Sequence, residues 1–141
     1  MRSTMKTLKV LAITFILLIV CMVGRTQTVK TVEDMAIKHQ ACLDSEIDML
    51  GCSKSFYLQM DSMLNVVYHQ LRATLGEKQK QALKNQQFKW IKKRDTYFNK
   101  QDNTLQKKYE KGEWGRDMEM ITYDDKANFI KERVIVLIKR H

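Results

Sequence analysis

From about residue 31 onward, apolar residues recur every three or four positions, the spacing of helices that bury one face. No proline interrupts the runs, and Gly51, Gly76, Gly112 and Gly115 fall between them. A first helix is predicted from Thr31, where the hydroxyl caps and Asp34 completes a capping box, through Met35, Ile37 and Cys42. "SEID" (45–48) reads as a short turn of helix ending at Gly51. A longer helix starts near Ser53 and lines up Phe56, Tyr57, Met60, Leu64, Val67 and Leu71, with Gly76 to end it. The third runs from about Lys78 towards Tyr109 and turns Leu83, Gln87, Trp90, Arg94, Tyr97 and Phe98 inward. After the loop "EKGEWG" (110–115), a last helix spans roughly 117–139. Only "RVIVLI" (133–138) has a strand-like composition. The predicted fold is all-α, a small bundle of about four helices.

The short link at Gly76 makes the second and third helices an antiparallel hairpin at the centre of the bundle. Facing residues in such a hairpin have numbers with a near-constant sum, about 154 here. That register sets Leu71 on Leu83, Leu64 on Trp90, Tyr57 on Phe98 and Asp61 on Arg94. It also accounts for a guanidinium within an apolar stripe, because a charge buried alone costs several kcal/mol and a bidentate carboxylate partner offsets that. With Asn65 reaching Gln87, the residues Asp61, Asn65, Gln87 and Arg94 are expected to form a structural polar network.

The start of the chain changes the picture of where it works. Arg2, Lys6 and Lys9 precede the apolar run "VLAITFILLIVCMV" (10–23), which has signal-peptide length and falls short of a membrane span. Gly24 and Thr26 supply small residues for cleavage after Thr26, which divides the chain into a signal peptide, 1–26, and a mature domain, 27–141. A lipoprotein reading at Cys21 is the poorer one, because Val20 is large for that position. The leader carries four of the 25 basic residues (Arg2, Lys6, Lys9 and Arg25). The mature chain keeps 21 against 16 acidic ones, a net charge of +5. Export also settles the expected state of Cys42 and Cys52, which should form a disulfide. A zinc site on His39, Cys42 and Cys52 is the alternative, and it lacks a fourth ligand at suitable spacing.

"MDSMLNVVYHQL" (60–71) followed by "LKNQQFKWIKKRD" (83–95) resembles the lysozyme inhibitor LprI family. The matching positions are Asp61, Leu64, Asn65, Tyr68 and Leu71, then Leu83, Gln87, Trp90, Arg94 and Asp95. The family's leading cysteine pair corresponds to "CLDSEIDMLGC" (42–52), and its C-terminal arginine and leucine to Arg133 and Leu137. Members often carry two further cysteines. Here Phe98 stands at the first position, and residues 123–125 contain none. The resemblance implies an exported helical protein with lysozyme inhibition as the activity of one group of members.

The chain offers no nucleophile motif, phosphate-binding loop or metal-spaced cluster, so neither an enzyme nor a cofactor is implied. His39, His69 and His141 are scattered, and Asp124 and Asp125 point about 100° apart on a helix. Trp90 reads as core, whereas Trp114 in a loop is open to sugar stacking. One surface feature stands out. Lys78, Lys89, Lys92, Lys93, Lys100, Lys107 and Lys111 fall within about a 100° sector of the third helix. Two function classes follow. One is a non-enzymatic envelope protein that binds a lysozyme-type hydrolase. The other is a module that holds anionic glycan or lipid head groups on the lysine strip. Nucleic acid does not suit an exported chain.

Overall fold

The computed structural model describes residues 27–140; the expected leader with Cys21, and His141 at the other end, lie outside them. Four helices follow one another: α1 (Val29–Leu43), α2 (Met49–Ala73), α3 (Glu77–Glu110) and α4 (Arg116–Ile138). The expected all-α bundle is found, and no strand occurs among the described residues. "RVIVLI" is helical because Ile130, Val134 and Leu137 recur at helical spacing and are all fully buried. None of the described helices is long and apolar enough to cross a membrane.

Local chemistry moves two predicted helix starts. α1 begins two residues earlier than Thr31. Thr28 is its N-cap, and the reciprocal bonds of a capping box run between Thr28 and Thr31. The expected turn of helix at 45–48 does not form. Glu46 takes a left-handed φ of 57°, and Asp48 caps α2 by accepting from Gly51 N–H at 3.1 Å. Gly51 therefore lies inside the first turn of α2 and does not end a helix. Gly112 is the glycine that a backbone conformation requires: at φ 71° it closes α3, while Glu113 N–H returns to the Lys108 carbonyl.

The α2–α3 hairpin has the predicted register, with Tyr57 and Phe98 in ring contact at 6.1 Å. Their backbones scarcely approach, however. The close partner of α2 is α4. The two ascend together at a nearly constant offset, through Asp48 with Arg116, Lys54 with Glu119 and Tyr57 with Tyr123. Small side chains make this possible: Ser53 on α2 and Ala127 on α4 are completely buried. α3 descends beside α4, joined by Gln101 to Asp125 at 3.3 Å, Tyr97 stacked on Phe129 at 4.7 Å, and Lys126 to Asp102.

α1 lies against α2 and α4, with Val32 buried in the shared core. Its far end is held covalently, since Cys42 and Cys52 form the expected disulfide with Cα atoms 5.8 Å apart. Closing so short a loop stabilises the fold by about 2–3 kcal/mol on the chain-entropy account. His39 adds a second tie, stacked flat on Phe56 at 4.4 Å with its Nε2 3.0 Å from Asp124.

Two outcomes test this architecture. Ala127→Leu should force α2 and α4 apart and cost about 1–3 kcal/mol in a urea melt; a neutral result would mean that the helices are not in close contact there. Peptide mass analysis after alkylation without reduction should find no label on Cys42 or Cys52. Labelling of both would contradict the disulfide.

Candidate functional site

The four polar residues expected to form one network are placed near one another, but their side chains turn elsewhere. Arg94 donates from both Nη2 and Nε to a single oxygen of its neighbour, Asp95 Oδ1, at 2.7 and 2.9 Å. No ion pair joins it to Asp61 among the described residues. The guanidinium lies over Trp90 and Phe98, at 5.8 and 5.9 Å from their ring centres, and its head reaches the helix edge. That route avoids the desolvation that pairing inside the hairpin would have cost. Asn65 Nδ2 donates to the Asp61 backbone carbonyl at 3.0 Å and does not reach Gln87. Asp61 and Arg94 still share a neighbour. The Tyr57 hydroxyl is raised above its usual pKa by burial first, then by the Asp61 carboxylate, with Arg94 acting in the opposite direction.

Gln87 finds a partner on α4. Its Oε1 accepts from Arg133 Nε at 3.0 Å, a contact that bridges the first third of α3 to the last two turns of α4. Arg133 also lies over Trp90 at 5.9 Å, so the indole is flanked by two guanidinium groups. Burial lowers the Arg133 pKa, the positive charge of Arg140 adding to it, and its Nη2 is buried without a hydrogen-bond partner among the described residues. The sequence placed Arg133 on the last helix but gave no means of finding Gln87 as its partner, since that depends on the α3–α4 register.

Both alternative readings of the first cysteines are resolved. The sulfurs are bonded to each other, and His39 faces Asp124, so these three side chains are not arranged as zinc ligands. Trp90 is half-buried against Phe129 at 5.8 Å, whereas Trp114 is exposed and packs edge-on to Tyr109 at 5.9 Å.

The lysine strip is a feature of the folded surface. Lys78, Lys89, Lys92, Lys93, Lys100, Lys107 and Lys111 are all exposed, and none forms an ion pair among the described residues. By contrast, Lys54, Lys80 and Lys126 are each paired with a carboxylate. The strip therefore carries uncompensated charge along a helix of 34 residues, about 50 Å at 1.5 Å per residue. Lys92 rests over the Phe88 ring at 4.6 Å.

Phe88 belongs to a second feature, which the sequence reading did not identify. Gln81, Lys84, Asn85 and Phe88 share one face of α3, at i, i+3, i+4 and i+7, and look across to Asn65, Tyr68 and His69 of α2. They line a cavity of about 540 Å³ between the splayed helices. The signal was present in "QALKNQQF" (81–88), where an amide-rich helical face ends in an aromatic residue.

The comparisons with known proteins agree with this helical unit. The family described as lysozyme inhibitor LprI matches residues 38–137, from within α1 to the end of α4. No curated protein and no solved structure matches the chain significantly.

Double-mutant cycles separate the observed contacts from the expected ones. Gln87→Met and Arg133→Met should be coupled by about 0.5–3 kcal/mol, whereas Asp61→Ala and Arg94→Ala, which share only Tyr57 as a neighbour, should be coupled by no more than about 1 kcal/mol. Strong coupling in the second cycle would put Arg94 back on Asp61.

Proposed function

We propose, from the premise that the chain belongs to the lysozyme inhibitor LprI family, that it is an exported, non-enzymatic protein of the cell envelope that binds a lysozyme-type hydrolase. The observation that carries this reading is the family match, which covers nearly all of the four-helix unit. The apolar leader supports export, and the disulfide suits an oxidising compartment. Such a hydrolase cleaves its glycan between two carboxyl groups in an open cleft. A rigid helical body that covers that cleft inhibits without chemistry of its own.

Charge sets a condition on the partner. At a net +5 for residues 27–141, the protein is repelled at long range by a hydrolase that is itself strongly cationic, and such repulsion slows encounter. The second reading rests on the unpaired lysines of α3: the strip binds anionic envelope glycan or lipid head groups, for which the same charge is attractive.

A panel of lysozymes assayed on cell-wall substrate tests the first reading. Inhibition should be stronger for neutral and acidic enzymes than for cationic ones; no inhibition across the panel would overturn it. Binding to acidic glycan or anionic vesicles tests the second. It should fall steeply between about 50 and 200 mM salt and disappear when Lys89, Lys92, Lys93 and Lys100 are replaced by glutamine. Salt-insensitive, tight inhibition of a cationic lysozyme by that same variant would reverse the charge argument.

A further inference from the structure

The cavity between α2 and α3 has the chemistry of a binding site of its own. Gln87 is only 8% exposed yet lines the cavity, and its orientation is fixed because Oε1 accepts from Arg133. Its amide nitrogen is thereby left to donate. Asn85 accepts from Gln81 Nε2 at 3.0 Å, which leaves Asn85 Nδ2 as a donor and Gln81 Oε1 as an acceptor. Asn65 spends its Nδ2 on the Asp61 carbonyl, and its Oδ1 remains. Neighbouring bonds thus orient four neutral carboxamides, leaving Gln87 and Asn85 with an unused NH2 group and Gln81 and Asn65 with an unused carbonyl oxygen.

The remaining lining narrows the class of ligand. Phe88 is 57% exposed, and Tyr68 lies across the cavity, so an apolar ring face has a surface to cover. No carboxylate lines the cavity; Lys84 does, and Lys92 stands over Phe88. A cationic ligand is therefore disfavoured, and a neutral or anionic one is favoured. The volume of about 540 Å³ is in the usual range for small-molecule sites.

We infer that this cavity binds an N-acetylated amino-sugar glycan. An acetamido group offers one carbonyl acceptor and one N–H donor, and the sugar hydroxyls are donors and acceptors together, matching the mixed amide set. The Gln87 amide nitrogen donates to the acetamido carbonyl, Asn65 and Gln81 accept from N–H and hydroxyl groups, and Phe88 covers the less polar face of a ring. Carboxylates on an acidic glycan of this type meet Lys84 and the adjoining lysine strip. The inference rests on the second reading above, to which it adds a specific sugar chemistry and a defined seat.

Calorimetric titration of the purified protein with neutral oligosaccharides tests the cavity apart from the strip. Chitotetraose should bind at least about tenfold more tightly than cellotetraose, which has the same backbone without acetamido groups. Phe88→Ala and Asn85→Leu alter exposed side chains and should each weaken chitotetraose binding about tenfold or more, without changing the melting temperature. Lys93, Lys100 and Lys107 replaced together by glutamine should leave chitotetraose binding intact while reducing binding to acidic glycan. Equal affinity for the two tetrasaccharides, or no binding of either, would overturn the inference. So would loss of lysozyme inhibition in Phe88→Ala with no oligosaccharide binding in the parent, since the cavity would then seat a protein. Loss of polyanion binding in the lysine variant, with the cavity variants unaffected, would leave the strip standing and remove the cavity.

Discussion

The apolar stripe of α2 can be sealed from water only by a partner whose backbone comes close along its whole length, and α4 is that partner. Met60 on α2 and Ile130, Val134 and Leu137 on α4 are fully buried along this seam, together with the small Ser53 and Ala127. Dense packing of this kind tolerates little change in volume. Every other element takes its place from this pair: α1 is clamped across it by a disulfide, Val32 and the His39–Phe56 stack, and α3 is laid along α4 by Tyr97, Gln101 and Asp102.

Because α2 and α4 satisfy each other, α3 is left with little to bury. Only Leu83 and Gln87 of its 34 residues are buried. Its aromatic side chains pack mainly on Phe129 of α4, with Phe98 also reaching Tyr57 of α2, and the amide-lined cavity lies between α2 and α3. The outer side of α3 carries its lysines with none of them ion-paired among the described residues.

The polar residues of the hairpin show how a correct register can still mislead. Tyr57 meets Phe98 as the sequence implies, and Asp61 and Arg94 both act on the Tyr57 hydroxyl. Arg94 nevertheless turns along its own helix to Asp95, because a long side chain lying over Trp90 and Phe98 reaches the surface at less cost than a buried ion pair. Gln87 instead meets Arg133, a residue 46 positions away on a helix whose placement no local pattern encodes.

Apolar spacing, the absence of proline and the loop residues were enough to determine four helices, their approximate limits, the α2–α3 register and the lysine face, because these depend on contacts near in sequence or on one helix alone. The pair Cys42 and Cys52 was legible as the even pair left in a chain expected to be exported, and the two are in fact bonded. What the tertiary structure decided was which helices touch most closely. That choice depends on how the buried faces of two helices separated by α3 fit together, with the small, completely buried Ser53 and Ala127 at different levels of the seam, and neither announces itself in the sequence. The partner of Gln87, the course of Arg94 and the cavity beside Phe88 all follow from it, since each is a gap or a contact between helices and not a property of any one of them.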